Sequence, residues 1–311
     1  MKPDGLEPVY LQKRNMALLD EKIERAFDLL KVCRVCPRRC GSDRTRGEKG
    51  ICRAGFLPEI SSFSAHFGEE SPLVGSHGSG TIFMTHCNLG CVFCQNYSIS
   101  HGEEGRECSF EDLAEIMIEL QLSGCHNINF VSPSHYIPQI LKALSLAIPK
   151  GLAVPLVYNT GGYDSPETLK ILDGIVDIYM PDLKYADPKH SEVLSQAADY
   201  PEVAKQAVRE MHRQVGDLFI DDRGVARRGL LVRHLVLPEG MAGTKEIMRF
   251  LAAEISKNTY VNIMDQYYPC GDIPPGSALE RRITRREYDQ ALLEAEEEGI
   301  TRLDIRKRRF F

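Results

Sequence analysis

The chain has 311 residues, 43% of them hydrophobic, and a formal net charge of −6. This length is enough for one large α/β domain or two smaller domains, and the acidic balance argues against a dedicated nucleic-acid-binding protein. No apolar run approaches the roughly 20 residues of a membrane-spanning helix, and residues 1–20 lack the apolar core of a signal peptide. We therefore predict a cytoplasmic protein that binds neither membranes nor nucleic acids.

Ten cysteines is a high count, and seven of them fall in two tight clusters. In the reducing cytosol such clusters bind metal more often than they form disulfides. The other three are Cys108, Cys125 and Cys270. Cys125 follows an apolar helix and is predicted to be a core residue, whereas the role of Cys270 is open.

The first 80 residues are predicted to form an N-terminal extension. An amphipathic helix over residues 11–32 precedes a loop over 33–56 that is rich in Cys, Arg and Gly. Residues 57–80 are predicted to be short strands and turns.

From residue 81 onward, strands alternate with helices, which indicates a parallel sheet. The predicted strands cover residues 81–85, 127–132, 155–159, 175–183, 230–237 and 260–266. The predicted helices cover residues 109–123, 136–148, 166–173, 200–215, 244–256 and 284–298. This order is compatible with an open doubly wound sheet and with a partial barrel, and in both the functional residues lie at the carboxyl ends of the strands.

Three cysteines, Cys87, Cys91 and Cys94, follow the first of these strands with the spacing C-x3-C-x2-C. Close-spaced thiolates on one loop can ligate three irons of a [4Fe–4S] cluster and leave the fourth iron open to a substrate. Gly90 allows the loop to turn tightly. The alternative is a zinc site whose fourth ligand is His86 or His101.

This spacing, with aromatic Phe93 just before the last cysteine, resembles the signature of the radical S-adenosylmethionine (SAM) superfamily. The resemblance implies that SAM binds the open iron, and that Phe93 belongs to the cofactor site. It also implies an external electron donor of the flavodoxin or ferredoxin type and a 5′-deoxyadenosyl radical that abstracts hydrogen. The expected fold is a partial parallel (β/α)6 barrel over residues 81–311, preceded by the Cys-rich extension over 1–80.

Three later segments resemble the glycyl-radical-enzyme activating enzymes, of which pyruvate formate-lyase activating enzyme is the best known. Asp182-Leu183-Lys184 resembles their Asp-Leu-Lys motif, and the segment Arg233 to Pro238 resembles their Arg-His-Val-Val-Val-Pro strand. The segment 158–162 resembles their Asp-Thr-Asn-Gly turn, with Asn159 in place of the acid.

This resemblance assigns roles to particular residues. Lys184 and His234 are implied to contact SAM. A monovalent cation site beside SAM is implied to be lined by Asn159, Thr160, Met180 and Asp182.

The chain departs from these enzymes at the end of its second barrel strand. They carry Gly-Gly-Glu there, which binds the methionyl amino group, whereas this chain has Ser132-Pro133-Ser134. Ser132 and Ser134 can supply hydroxyls to the cofactor but no carboxylate. The chain therefore resembles an uncharacterised branch of the activating-enzyme-like family, and the substrate does not carry over with the radical chemistry.

The N-terminal cluster consists of Cys33, Cys36, Cys40 and Cys52, with the spacing C-x2-C-x3-C-x11-C. Four cysteines can close a tetrahedral zinc site or fully ligate a second iron–sulfur cluster. Neighbouring arginines offset the thiolate charge for either metal. We predict a four-Cys metal site, with zinc and an auxiliary cluster as open alternatives.

Three functions follow from these patterns. The first is a radical SAM enzyme that acts on a protein or peptide and installs a glycyl radical. The second keeps the radical chemistry but has a different protein or a small molecule as substrate. The third is a non-catalytic zinc or iron–sulfur protein that scaffolds a partner or relays electrons, and the open iron implied by C-x3-C-x2-C disfavours it.

Overall fold

The computed structural model describes residues 7–102 and 104–304. Its β-strands are β1 (Glu59–His66), β2 (Ser79–Met84), β3 (Arg106–Glu107), β4 (Ile128–Val131), β5 (Leu156–Thr160), β6 (Ile178–Pro181), β7 (Phe219–Ile220), β8 (Ala226–Leu235) and β9 (Tyr260–Met264). Its α-helices are α1 (Lys13–Ala17), α2 (Leu19–Lys31), α3 (Ser71–Val74), α4 (Tyr97–Ser100), α5 (Phe110–Leu122), α6 (Ile137–Ala147), α7 (Pro166–Ile171), α8 (Pro188–Ser195), α9 (Tyr200–Val215), α10 (Thr244–Phe250) and α11 (Arg285–Glu297).

Six strands form a parallel sheet in the order β2-β4-β5-β6-β8-β9. Antiparallel strands extend it: β1 pairs with β2, β3 pairs with β1, and β7 pairs with β8. Helices connect the parallel strands, as parallel pairing requires. The predicted parallel α/β architecture of the partial-barrel type is confirmed, because the sheet is mostly parallel and does not close.

The two faces of the parallel sheet carry different side chains. Tyr158, Tyr179 and Leu230 are aligned across β5, β6 and β8 and join the main core on the helical side. Val157 and Ile178, one position earlier on their strands, pair with each other and join a second, smaller core on the inner face. Because side chains alternate along a strand, this parity decides which residues at the strand ends face the inner side.

The N-terminal residues pack against the sheet. The buried carboxylate of Asp177 accepts a hydrogen bond from the backbone of Val9 at 2.8 Å, and Tyr10 donates to the carbonyl of Val154 at 2.9 Å. Burial raises the pKa of Asp177 to about 7. Strand β1, which lies within the predicted extension over residues 1–80, pairs with β2 and belongs to the sheet. The division of the chain at residue 80 remains a prediction.

Most predicted elements are present at close to their predicted bounds. The predicted helix over residues 200–215 matches α9, and Ser109 caps α5 through a reciprocal pair of hydrogen bonds with Asp112. The predicted helix over residues 11–32 is instead divided into α1 and α2 at Leu18. Helix α8 was not predicted. In the part of the chain that the structure describes, none of the helices is long and apolar enough to cross a membrane.

Candidate active site

The loop with Cys87, Cys91 and Cys94 begins just after β2, at the carboxyl edge of the parallel sheet. We call residues 87–94 the cysteine loop. Each sulfur accepts a hydrogen bond from the chain: Cys87 from the backbone of Leu89, Cys91 from Ser195 and Cys94 from Ser100. The loop is therefore placed by its own backbone and by side chains from two other segments.

The carboxyl end of α8 packs directly on the cysteine loop. The carbonyl of Leu194 accepts from the backbone of Val92 at 3.0 Å, and the carbonyl of Ser195 accepts from the backbone of Gly90 at 3.4 Å. Carbonyls in the last turn of a helix have no partner within the helix. Here the cysteine loop supplies those partners, so α8 holds the loop in place.

Burial has the largest influence on the pKa values of Cys87 and Cys91. It raises the pKa of Cys87 to about 12, and it raises the pKa of Cys91 although nearby Lys184 and the hydrogen bond from Ser195 oppose it. Metal ligation requires the thiolate form, which a positively charged metal centre stabilises. Three neighbouring thiols that accept hydrogen bonds, beside an ammonium, fit an iron–sulfur cluster, which Cys87, Cys91 and Cys94 would hold.

The zinc alternative needed a fourth ligand from His86 or His101. His86 contacts Glu59 through Nε2 at 3.1 Å, and His101 stacks on Tyr97 while its Nδ1 contacts Ser100 at 2.8 Å. One nitrogen of each ring is thus engaged elsewhere. Among the described residues, no three or more His, Cys, Asp or Glu side chains are placed to hold a single metal ion.

Charged side chains from the ends of two strands, β6 and β8, meet beside the cysteine loop. The carboxylate of Asp182, after β6, accepts from Arg233 Nε of β8 at 2.8 Å and also pairs with Lys184. Burial alone would raise the pKa of Asp182, but Arg233 and Lys184 outweigh it and hold that pKa below its usual value. Burial would lower the pKa of Lys184, but Asp182 and Cys91 raise it, so Lys184 remains a cation next to the thiols.

The residues predicted to line a monovalent cation site have other partners in the structure. Arg233 Nη2 donates to Asn159 Oδ1 at 2.6 Å, and the same guanidinium holds Asp182. The hydroxyl of Thr160 donates to Asp164, and Met180 lies in the inner-face core. A guanidinium therefore takes the oxygens that were predicted to bind the cation.

His234 does not face this site. It is fully buried, with Nδ1 at 2.7 Å from the carbonyl of Leu183 and Nε2 at 2.9 Å from Thr244 Oγ1. Its neighbour Arg233 faces the inner side instead, because adjacent residues of a strand point to opposite faces. On this geometry Arg233, and not His234, is the β8 side chain that lies beside Asp182.

The two serines that stand where the activating enzymes carry Gly-Gly-Glu differ in their surroundings. Ser132 adopts a left-handed backbone with φ 56°, and its backbone donates to the carbonyl of Asn159. Ser134 is buried, and its hydroxyl lies 3.0 Å from that of Thr160. Only Ser132, which is partly exposed, keeps a hydroxyl at the edge of the site.

Aromatic side chains pack behind the last cysteine. Phe93 is buried, with its ring 6.0 Å from that of Tyr267 and 6.3 Å from that of Tyr185. Gly271 has φ 76°, and a β-carbon there would lie 2.3 Å from the carbonyl of Val92. This close approach brings Cys270 within 3.4 Å of the carbonyl of Phe93.

The four N-terminal cysteines are near one another and largely buried. Burial raises the pKa of Cys36 to about 12. It also raises the pKa values of Cys33 and Cys52, although the charge of Arg44 partly opposes that shift. Burial also raises the pKa of Cys40, but hydrogen bonds from Ser42 and the backbone outweigh it, so the net shift is downward. The thiols are close enough to influence one another electrostatically, and the four-Cys metal site stays a prediction.

Three arginines attach this N-terminal loop to the rest of the protein. Arg44 is 1% exposed and donates to the carbonyls of Gly55 and His135. Arg53 donates to the carbonyl of His101 at 2.7 Å. Arg38 donates to the carbonyl of Asn88 in the cysteine loop at 2.9 Å. The two cysteine-rich loops are therefore in direct contact.

Several residues of the site were not predicted. They are Arg38, Ser195, Tyr185 and Arg233. Arg233 stood in a quoted motif, and the alternation of strand residues could have selected it over His234. The sequence Asp187-Pro188 is a typical helix start and could have predicted α8, whose last residue is Ser195. Contacts of Arg38 span about half of the chain and leave no local pattern.

Comparisons with known proteins place these observations in a family. A model of the radical SAM superfamily matches residues 81–221. The uncharacterized protein MJ0674 of Methanocaldococcus jannaschii is 33% identical over 293 residues, which cover 91% of this chain and 80% of that protein.

The chain is also similar to solved structures. HydG, a maturase of the [FeFe]-hydrogenase, superposes with a TM-score of 0.48 at 12% identity, over 72% of this chain and 49% of HydG. For anSMEcpe with bound AdoMet, the TM-score is 0.46 at 12% identity, over 68% and 55% of the two chains. For a domain of pyruvate-formate lyase-activating enzyme from Bacteroides vulgatus, it is 0.34 at 14% identity, over 61% and 87%. The chain spans about half the length of HydG and anSMEcpe.

Proposed function

Because this chain belongs to the radical SAM superfamily, we propose that it reductively cleaves SAM at a [4Fe–4S] cluster held by Cys87, Cys91 and Cys94. With the cluster bound, one electron from an external donor breaks the sulfonium bond and yields methionine and a 5′-deoxyadenosyl radical, which abstracts hydrogen from the substrate. The observation that carries this proposal is the position of three hydrogen-bonded thiols on one loop at the carboxyl edge of the parallel sheet, beside Lys184 and Arg233.

The chain's own residues have separate tasks in this proposal. Lys184 and Arg233 supply positive charge to the carboxylate of SAM, and Asp182 keeps both cations in place. Phe93 and its neighbours exclude water from the radical. Ser132 offers a hydroxyl where the activating enzymes offer a carboxylate. Because His234 is bonded at both nitrogens, it supports the strand and does not contact SAM.

The substrate is the finer part of the proposal. The Asp-Leu-Lys motif favours a role like that of the glycyl-radical-enzyme activating enzymes, whereas the missing acid after β4 and the four-Cys loop favour a different protein or small-molecule substrate. A four-Cys site at Cys33, Cys36, Cys40 and Cys52, with zinc or a second cluster, belongs to the same proposal.

The central test is anaerobic reconstitution with iron and sulfide, followed by reduction with dithionite. We expect the wild type to convert SAM to 5′-deoxyadenosine, and Cys94→Ala to make none. Cys108→Ala is the matched control, because Cys108 lies outside both clusters next to Pro58. Equal product from wild type and Cys94→Ala would end the proposal. Mixing the active enzyme with a candidate glycyl-radical enzyme and recording the EPR spectrum then separates the two substrate classes.

A further inference from the structure

Every thiol of the cysteine loop accepts a hydrogen bond, but the donors differ in kind. The backbone of Leu89 lies 3.4 Å from the sulfur of Cys87, which is a long contact within the loop itself. The hydroxyl of Ser195 lies 2.9 Å from the sulfur of Cys91, although 104 residues separate them. The Ser195 contact is therefore the shorter one, and it depends on the tertiary fold.

Ser195 is itself polarised by a second hydroxyl. Tyr185 Oη lies 2.7 Å from Ser195 Oγ, and both side chains are buried, with exposures of 2% and 0%. A serine hydroxyl has one proton, and here Ser195 gives it to Cys91, so Tyr185 must donate to Ser195. Consecutive hydrogen bonds in a buried site polarise each other, which strengthens the bond to the sulfur.

The rest of the structure holds this chain of hydrogen bonds rigidly. Arg38 donates to the carbonyl of Ser195 at 3.1 Å and to that of Gln196, and it also binds the carbonyl of Asn88. Its guanidinium thus fixes the end of α8 and the start of the cysteine loop relative to each other. The ring of Tyr163 lies 5.2 Å from the same guanidinium.

We propose that Ser195, polarised by Tyr185, is a positioning residue that raises the reduction potential of the cluster bound by the cysteine loop. The inference rests on the proposed function, because it requires that cluster. Reduction adds negative charge to the cluster and its sulfurs, and a hydrogen-bond donor stabilises the reduced form more than the oxidised form. The donor therefore makes the cluster easier to reduce by the one electron that SAM cleavage consumes.

The test measures the midpoint potential of the reconstituted full-length protein without SAM, by EPR at a series of fixed potentials. In Ser195→Ala we expect the ratio of reduced to oxidised cluster to fall about tenfold at a given potential, which corresponds to about 59 mV for one electron. Tyr185→Phe leaves Ser195 in place and should shift the potential in the same direction by less. The matched control is Ser191→Ala, also on α8, whose buried hydroxyl bonds only to the carbonyl of Pro188 in this structure.

A midpoint potential that is unchanged in Ser195→Ala and in Tyr185→Phe, at full iron content, overturns the inference. If Ser195→Ala does not load the cluster, the test depends on Tyr185→Phe. An unchanged midpoint potential in Tyr185→Phe then contradicts the inference. Failure of the proposed function has a different signature: a wild-type cluster that is reducible but makes no 5′-deoxyadenosine. A wild type with no reducible cluster refutes both.

Discussion

The two cysteine-rich loops of this protein are in contact, yet they are built for different tasks. The cysteine loop has three thiols, each bonded to a donor of the chain, and it lies beside the cations of Lys184 and Arg233. The N-terminal loop has four thiols and a fully buried arginine, Arg44, which binds the backbone carbonyls of Gly55 and His135. In the proposed function the first loop leaves a coordination position for SAM, whereas the second is anchored by its arginine to the rest of the protein.

The largest effect is expected when a cysteine is replaced in one loop at a time. Cys87→Ala should lose about four irons per chain and all production of 5′-deoxyadenosine, since three cysteines are the minimum for this cluster. Cys36→Ala should lose the N-terminal metal but keep the central cluster. Metal analysis and product assays on both variants measure this. Loss of the central iron in Cys36→Ala would mean that the two sites are not independent.

A second large effect concerns Arg44. Arg44→Lys keeps the charge but loses the fork that binds Gly55 and His135, so we expect the free energy of unfolding to fall by about 2–4 kcal/mol. Denaturant unfolding measures it. Arg46→Lys, an exposed substitution in the same loop, should change it by less than about 0.5 kcal/mol. Equal effects would show that Arg44 is not an anchor.

A moderate effect of pH on stability is expected from two buried histidines, His135 and His234. Burial lowers the pKa of His135 to about 3 and that of His234 to about 4, so the folded protein keeps both neutral, while in the unfolded chain they take up protons below about 6.5. Stability is therefore fully present above that pH and declines as the pH falls. Between pH 7.5 and 5.5 each histidine should cost about 1.4 kcal/mol.

His135→Gln and His234→Gln should each remove that part of the pH dependence, and the double variant should remove both parts. Gln can still donate a hydrogen bond to the carbonyl of Thr85 or Leu183. Unfolding at several pH values, at constant metal content, measures the slopes. A slope identical to that of the wild type in either variant would contradict a neutral buried ring at that position.

The smallest effect concerns cations at the site. Since Arg233 already binds Asn159 and Asp182, the wild type should cleave SAM at the same rate in potassium and in choline buffers of equal ionic strength. Asn159→Asp adds a carboxylate, and we expect potassium to increase its rate two- to fivefold, roughly 0.4–1 kcal/mol. A potassium requirement in the wild type would restore the predicted cation site.

Much of the fold follows from local patterns. The six parallel strands were predictable because they are short apolar runs that alternate with helices of regular periodicity. Strand β1 was harder, since it reads Glu-Ile-Ser-Ser-Phe-Ser-Ala-His and only Ile60 is buried along it. Its hydrogen bonds to β2, and not an apolar pattern in its own sequence, make it a strand.

The site was predictable only where its residues are consecutive. Cys87, Cys91 and Cys94 lie on one loop, and Asp182 and Lys184 lie on one strand end. The choice between Arg233 and His234 depended on which residues of β8 face the inner side, and only the alternation along the strand could have supplied that. The contacts of Arg38 and Ser195 depend on folding across 157 residues.

The long sequence separation between the cysteine loop and Ser195 has a consequence for when the cluster can be inserted during synthesis. During synthesis the cysteine loop is complete at residue 94, but the donor to Cys91 and the carbonyls that hold Gly90 and Val92 belong to Leu194 and Ser195. About 100 further residues must be made before the loop has its hydrogen bonds. A cluster inserted earlier would lie in a loop without those supports, so stable loading should follow the folding of α8 onto the barrel.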